Sequence, residues 1–217
     1  MAVLEQVNIV RKGFMLVLSS PSGAGKTSIA SALVNRNNNI VMSISATTRP
    51  KRPGEKDGKD YYFVETEKFE EMAGKKKFLE HAKVFENFYG TPRDLVTKNL
   101  NRGIDVLFDV DWQGTLQLKK NNLFDIVCIF ILPPSLDILA NRLRARALDT
   151  SAVVENRMSK AVSELSHWNE YDYVIINSNL EASIKQAESI LVAERLKRTR
   201  NNGLADFVKR LGASKKS

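Results

Sequence analysis

The segment from Ser20 to Thr27, Ser-Pro-Ser-Gly-Ala-Gly-Lys-Thr, has residues that could bind the phosphates of a nucleotide. It matches the pattern G-x-x-x-x-G-K-[ST] at three of the four fixed positions, because Ser20 stands where the first glycine belongs. In such a loop, backbone N–H groups around Gly23 to Lys26 would surround the terminal phosphates and Lys26 would add a positive charge. The Thr27 hydroxyl would be offered to Mg²⁺. Glycine-rich loops also join strands to helices without any ligand, so the flanking elements matter.

Two aspartates, Asp109 and Asp111, are a second candidate for chemistry. They close a short apolar run, Val106 to Val110, that predicts a buried strand. An acid at the end of such a strand could order a Mg²⁺-bound water beside Thr27. The alternative is a turn aspartate at a strand end. We expect a functional role for at least one of the two, and the sequence does not decide which would serve the metal.

The elements around the loop favour nucleotide binding. The apolar run Gly13 to Ser19 has the length of a strand, and Ile29, Ala32 and Leu33 recur at helical spacing after Thr27. The loop would therefore join a strand to a helix. The two histidines, His81 and His167, show no spacing typical of a metal site and are interpreted as ordinary polar residues.

The rest of the chain alternates strands and helices, which predicts an α/β fold with a parallel sheet flanked by helices. Further strands are predicted at 40–45, 106–110, 125–132 and 173–176, and helices over 135–170 and 180–191. In an open parallel sheet, ligands bind at the carboxyl ends of the strands. The phosphate loop and the aspartates both lie at such ends.

Composition limits the class of protein. The chain has 217 residues, 33 Lys and Arg against 25 Asp and Glu, and a net charge of +8. This is typical of one globular domain over residues 1–217. No apolar run approaches the roughly 20 residues of a membrane helix. The start of the chain does not resemble a secretion signal and Cys128 has no second cysteine to pair with, so we expect a cytoplasmic protein.

The positive charge is concentrated at the C-terminal end, where residues 195–217 have eight basic residues and a single acid, Asp206. A solvated tail is the favoured interpretation, and nucleic-acid contact is not expected. Leu204, Phe207, Val208 and Leu211 form an apolar stripe there that would dock on the protein or on a second subunit. A homo-oligomer is left open.

Several segments together resemble the signature of guanylate kinases. They are 43–55 (SISATTRPKRPGE), 57–63 (DGKDYYF), 88–91 (FYGT), 109–114 (DVDWQG) and the phosphate loop. The resemblance runs from Gly13 to Leu191 in the order of the family. It implies a core (13–45, 95–138 and 170–195), a small β-rich GMP-binding subdomain (46–94) and a helical lid (139–169). Residues 196–217 form a basic C-terminal extension.

The resemblance also implies a reaction, the transfer of the γ-phosphoryl group of ATP to GMP with Mg²⁺, giving ADP and GDP. The implied ATP-binding residues are Ser20, Pro21, Ser22, Gly23, Ala24, Gly25, Lys26, Thr27, Ser28 and Asn177. The implied GMP-binding residues are Ser45, Arg49, Arg52, Tyr61, Glu80, Tyr89, Thr91 and Asp111. Lys26 and the lid arginines Arg142, Arg146 and Arg157 would be catalytic, and Thr27 and Asp109 would serve the metal.

Elementary chemistry agrees with these roles. Guanine presents N1–H and N2–H₂ donors side by side, and a carboxylate such as Glu80 can accept both. Taken alone, Glu80 would be interpreted as an exposed acid at a helix end. The guanidinium groups of Arg49 and Arg52 suit a phosphate, although they could equally form a basic loop surface. The phosphate of GMP is already an anionic nucleophile, so no general base is required.

Two departures from the family and two rival functions remain. Ser20 replaces a glycine, and Ala147 follows Arg146 where the family commonly has glycine. One rival is a guanylate-kinase-like scaffolding module that binds phosphopeptides, and the other is a nucleic-acid-binding NTPase that uses the basic C-terminus. The intact Gly-Lys-Thr and the lid arginines favour the enzyme over both.

Overall fold

The computed structural model describes residues 11–84, 86–120, 124–146 and 151–213, with the side chains of residues 84, 146 and 151–157 excepted. Within this part, no helix has both the length and the apolar character needed to cross a membrane.

The central element is a sheet of five parallel strands. Its members are β1 (Met15–Ser19), β2 (Ile40–Met42), β7 (Asp105–Asp109), β8 (Ile126–Leu132) and β9 (Tyr173–Ile176), in the spatial order β2-β7-β1-β8-β9. All four pairs of neighbours run parallel. Since β1 is the middle strand, the loop that follows it leaves the centre of the sheet's carboxyl edge.

Helices cover both faces of this sheet. Along β1, Leu16 and Leu18 pack in the cluster beneath α1 (Lys26–Arg36) and α7 (Leu180–Arg195). Met15 and Val17 point the other way, into the cluster beneath α3 (Arg93–Asn101) and α4 (Trp112–Lys120). A strand buried on both faces reads as a continuous apolar run, which is how β1 was recognisable. The predicted parallel sheet flanked by helices is confirmed.

A second, smaller sheet is inserted between β2 and β7. It consists of β3 (Ala46–Thr47), β4 (Tyr62–Phe63), β5 (Phe78–Val84) and β6 (Asn87–Pro92), in the order β4-β3-β6-β5, with α2 (Thr66–Gly74) alongside. Its core is aromatic, because Phe69 of α2 stacks on Phe78 at 4.4 Å and on Phe88 at 5.4 Å between ring centroids. This sheet therefore has a core of its own.

A helical excursion follows β8. It comprises α5 (Leu136–Arg146), α6 (Ser151–Leu165) and a 3-10 turn (Ser166–Glu170) that leads back to β9. Leu139, Leu143 and Ala161 form a small buried cluster between the two helices. Leu139 and Leu143 also lie against Gly23, which brings this excursion onto the loop after β1.

The C-terminal end is not uniformly solvated, contrary to the favoured interpretation of its charge. Arg195 donates to Asp105, and Arg200 is only 4% exposed and pairs with Asp125 and Glu194. These contacts bind residues 195–200 to the amino edge of the sheet. The final helix, α8 (Leu204–Ala213), has no buried residue, and Val208 and Leu211 are exposed.

Candidate active site

The loop between β1 and α1 is shaped by two glycines in the left-handed region. Gly23 has φ 89° and Gly25 has φ 103°, conformations that other residues rarely adopt. A Cβ on Gly25 would also lie 2.3 Å from Nδ2 of Asn177. Ser20, in contrast, does not have a positive φ, and its hydroxyl donates to the carbonyl of Pro21 at 2.9 Å. The missing first glycine therefore costs this loop no backbone strain.

Asn177 and Arg142 hold this loop from outside. Asn177, at the end of β9, is 3% exposed and donates from Nδ2 to the carbonyl of Ala24 at 2.7 Å. Its Oδ1 accepts from the Ser183 hydroxyl, so both ends of the amide are satisfied. Arg142 of α5 donates to the carbonyls of Ala24 and Asn177. Both side chains thus support the loop, while the expected adenine contact of Asn177 stays a prediction.

Asp109 contacts a charged and a polar side chain at the carboxyl edge of the sheet. Its carboxylate forms an ion pair with Lys26 and accepts from the Thr27 hydroxyl at 3.0 Å. Lys26 also donates to the carbonyl of Val110 at 3.2 Å. The first two residues of α1 and the last residue of β7 are therefore brought together, as the two sequence motifs predicted. The Asp109 side chain keeps 23% of its surface exposed and so remains accessible to a ligand.

Two cavities lie on either side of residues 109–111. One, of about 270 Å³, is lined by the phosphate loop with Lys26, Thr27, Asp111 and Glu164 of α6. The other, of about 230 Å³, is lined by Ser45, Tyr61 and Thr91 from the small sheet and its approaches, together with Asp109. Each aspartate thus faces a different cavity. A donor and an acceptor nucleotide could occupy them with their phosphates meeting at this segment.

Three of the expected guanine contacts form a connected group. The Thr91 hydroxyl donates to Oε1 of Glu80 at 2.7 Å, and it lies 3.4 Å from the Ser45 hydroxyl. Burial raises the pKa of Glu80, which the Thr91 hydrogen bond partly offsets and the nearby Asp111 reinforces. Glu80 is therefore a partly buried carboxyl on β5 and not the exposed helix-end acid that its local sequence suggests.

The expected phosphate contacts of the acceptor form a second group. Arg49 lies with its guanidinium carbon 5.5 Å from the ring centroid of Tyr61, and Tyr61 and Tyr89 meet edge to face at 5.9 Å. Glu55 binds Nη2 of Arg49 at 2.6 Å and also accepts from the backbone N–H of Arg52. These two bonds lower the pKa of Glu55. Arg52 itself is exposed.

The structure brings together most of the predicted residues and adds some that the motifs did not signal. The side chains of Arg146 and Arg157 lie outside the described residues, although both positions are in the helical excursion. Glu55 and Glu164 were not expected at the site. Glu55 is six residues after Arg49, a spacing that neither a helix nor a strand explains, and Glu164 belongs to no motif that would single it out on α6.

Comparisons with known proteins agree with this geometry. Residues 12–194 match the family model described as guanylate kinase. A guanylate kinase of Paramagnetospirillum magneticum is 59% identical over 94% of this chain and 95% of its own length, and one of Rhodospirillum rubrum is 54% identical over 94% and 93%. The crystal structure of guanylate kinase from Anaplasma phagocytophilum is 39% identical, with a TM-score of 0.74 over 93% of this chain and 96% of that one. The chain therefore belongs to the guanylate kinase family, enzymes that phosphorylate GMP with ATP.

Proposed function

We propose that the protein moves the γ-phosphoryl group of ATP to GMP across residues 109–111, with ATP phosphates in the loop cavity and GMP in the cavity beside the small sheet. The observation that carries this assignment is the position of Asp109 and Asp111, which line the acceptor-side and the donor-side cavity respectively. Lys26 and Thr27 lie at the same point, bound to Asp109. The reacting groups would therefore meet next to the charges that neutralise them.

Asp109 and Thr27 suit Mg²⁺, which is bound in such enzymes by one or two protein oxygens together with phosphates and water. They offer a carboxylate and a hydroxyl oxygen within 3.0 Å of each other. Among the described residues no group of three or more His, Cys, Asp and Glu side chains could hold a metal by itself. When bound, the ion would neutralise charge on the transferred phosphoryl group. Lys26 would then exchange its contact with Asp109 for the phosphates.

GMP recognition would rest on Glu80, Thr91 and Ser45. In its ionised form Glu80 accepts from N1–H and N2–H₂ of guanine, and the two hydroxyls bond to O6 or N2. Adenine would leave this partly buried carboxylate without its donors, which costs binding energy. Arg49, with Tyr61 and Tyr89, would hold the GMP phosphate, and Arg52 would join it from the loop.

Catalysis would consist of positioning and charge neutralisation. The GMP phosphate attacks without a general base, and Lys26 stabilises the charge that develops on the transferred group. Arg142, Arg146 and Arg157 would add positive charge from the lid, and a closed lid would exclude water as a competing acceptor. Ser22, Gly23, Ala24, Gly25 and Ser28 would complete the surroundings of the ATP phosphates.

The test is an ADP-release assay with ATP and Mg²⁺ that compares GMP with AMP, CMP and UMP. We expect turnover with GMP at least about 10²-fold faster than with the other acceptors, since unpaired polar groups penalise them. Binding of GMP without turnover would instead support a scaffolding module. Equal turnover with AMP and GMP would show that Glu80 does not select guanine over adenine.

We also place the protein in the cytoplasm. Cys128 is buried, and burial raises its thiol pKa to about 12, which makes it an unreactive core residue. A homo-oligomer stays a prediction, and nucleic acid is still not expected as a partner.

A further inference from the structure

A third cavity, larger than the two beside residues 109–111, has no role in the proposed reaction. Its volume is about 440 Å³, against about 270 and 230 Å³ for those two. It lies between β5, the outer strand of the small sheet, and α4 of the core. The two elements meet there, because the backbone N–H of His81 on β5 donates to Oε1 of Gln117 on α4 at 3.3 Å.

The charged side chains around this cavity are mostly basic. Lys76, Arg93 and Lys120 contribute three positive charges, and Glu80 is the acid that lines the cavity with them. Within the part of the chain that the structure describes, none of these three basic groups forms an ion pair. Lys77, in contrast, is paired with a neighbouring acid. The lining therefore has a net positive charge that is open to an anion.

Arg93 is the basic residue that most clearly lacks a partner. It is partly buried, and its Nη2 donates only to the carbonyl of Phe78, at 3.3 Å. Its Nε is buried and has no hydrogen-bond partner among the described residues, which costs free energy. Arg11 and Arg195, which are also partly buried, share the carboxylate of Asp105. Arg93 has no such counter-ion, and a guanidinium group suits the oxygens of a phosphate.

Lys76 occupies a backbone position that usually belongs to glycine. It follows α2 with a φ of 53°. Its N–H donates to the carbonyl of Ala73 at 2.9 Å, and the N–H of Lys77 donates to the carbonyl of Met72 at 2.9 Å. This pair of bonds ends many helices, and the left-handed residue within it is most often glycine. The chain thus places a lysine beside the cavity against its backbone preference.

We infer that this cavity binds a phosphate-bearing anion and that its occupation opposes the binding of GMP. Arg93, Lys76 and Lys120 would hold the phosphate oxygens, and the volume is in the range of small-molecule sites. The opposition rests on the proposed role of Glu80, which lines this cavity and accepts from Thr91 in the guanine-binding group. An anion here cancels positive charge near Glu80 and adds negative charge close to the anionic GMP.

An NMR titration of backbone amides tests the site. The protein is first saturated with GMP and a non-hydrolysable ATP analogue, so that both nucleotide cavities are filled. Inorganic phosphate or glucose 6-phosphate should then shift the signals of residues 76, 81, 93, 117 and 120 with one midpoint. A lower midpoint for glucose 6-phosphate would identify a phosphorylated small molecule as the ligand, and an equal or higher one would identify free phosphate. Shifts confined to residues 20–27, or equal shifts with sodium chloride at the same ionic strength, would overturn the inference.

Variants of the basic residues assign this binding to the cavity. Lys120→Ala, at an exposed position, should raise the phosphate midpoint by about 5-fold, and Arg93→Gln by at least about 10-fold, because each removes a charged donor. Lys98→Ala removes an exposed charge from the same helix as Arg93 and should leave the midpoint unchanged. An unchanged midpoint in Lys120→Ala and Arg93→Gln would overturn the inference. Should Arg93→Gln not fold, Lys120→Ala decides.

Steady-state kinetics test the opposition to GMP. Glucose 6-phosphate should raise KM for GMP by about 5-fold and then have no further effect, whereas a direct competitor would raise it without limit. Lys120→Ala should keep its KM within about twofold when no phosphate is added and should respond less. A KM that ignores glucose 6-phosphate, or that rises without limit, would overturn the opposition. Failure of the proposed role of Glu80 would appear separately, as an unchanged KM for GMP in Glu80→Gln.

Discussion

The strand β7 has an aspartate at each end, and the two are held very differently. At the amino end, Asp105 is fully buried and accepts from Arg11 at 2.6 and 3.1 Å, from Arg195 at 2.7 Å and from the N–H of Phe14 at 3.1 Å. At the carboxyl end, Asp109 has one lysine and one hydroxyl and keeps part of its surface exposed. The first carboxylate is saturated by the protein, while the second keeps capacity for a ligand.

The difference extends to the two edges of the sheet. At the amino edge, Asp125 and Glu194 share Arg200, and these pairs join residues 195–200 to the sheet. At the carboxyl edge, acids and bases surround two cavities. Similar residue types therefore stabilise the fold at one edge and serve the reaction at the other. The number of partners that the protein itself supplies distinguishes the two uses.

The largest effect is expected at the carboxyl edge. Lys26→Ala should lower kcat by at least about 10³-fold, because it removes the fixed charge beside the transferred group. GMP should still bind within a few-fold of its original affinity, measured by calorimetry. Lys68→Ala, at an exposed ion pair, is the control. An unchanged kcat in Lys26→Ala would mean that the loop does not hold the reacting phosphate.

At the amino edge the loss should appear in stability instead. Asp105→Asn leaves two partly buried arginines, Arg11 and Arg195, without their carboxylate and should lower the free energy of unfolding by about 3–5 kcal/mol. Urea unfolding measures it. The folded protein should keep its kcat, since Asp105 lies at the far end of β7 from the cavities. A large drop in kcat with unchanged stability would contradict the division between the two edges.

Asp109→Asn is the matched variant at the other end of the strand. We expect kcat to fall by about 10²-fold through weaker placement of metal and phosphate, with a change in the free energy of unfolding below about 1 kcal/mol. Raising the Mg²⁺ concentration should recover part of the activity. Asp105→Asn should therefore affect mainly the free energy of unfolding, and Asp109→Asn mainly kcat. Equal destabilisation by both variants would contradict the proposed difference between the two edges of the sheet.

Glu80→Gln is expected to raise KM for GMP by about 10-fold, because an amide oxygen accepts more weakly and its NH₂ opposes the guanine donors. Because burial raises the pKa of Glu80, KM in the original protein should rise with falling pH sooner than the ordinary glutamate pKa of about 4.3 would suggest. Glu67→Gln, exposed on α2, is the control. A KM for GMP that stays constant while pH falls through the range in which Glu80 becomes protonated would argue against the ionised form as the guanine acceptor.

The smallest effect concerns acid stability at the amino edge. Burial alone would raise the pKa of Glu194, but hydrogen bonds from Lys197, Tyr173 and Arg200 bring it down to about 2. Its contribution is therefore present above the unfolded pKa of about 4.3 and is lost as pH falls towards 2. Urea unfolding measures the free energy of unfolding at pH 6 and at pH 3. We expect the loss between these two pH values to be smaller in Glu194→Gln than in the original protein, by about 1–2 kcal/mol. The same pH dependence of stability in both proteins would show that ionised Glu194 does not contribute to stability through this network.

Prediction from sequence succeeded where the signal was local. The run Gly13–Ser19 predicted β1, and the Gly-Lys-Thr motif predicted the loop, since strand pattern and loop chemistry both depend on neighbours in the chain. Prediction from sequence was less successful for the surroundings of charged side chains. The basic tail was interpreted as solvated, yet Arg195 and Arg200 are bound to acids 70 or more residues away. No pattern of period 2 or 3.6 connects such positions.

The sequence by itself determined the fold class, the nucleotide loop and, through its resemblance, the set of residues to examine. Only the tertiary structure decided which acids are saturated and which are open, because burial and partner number arise when distant segments meet. It showed that Ser20 needs no positive φ and that Glu80 is partly buried. Residue type sets what a side chain can do, and its surroundings in the fold set whether that capacity is used for stability or left for a substrate.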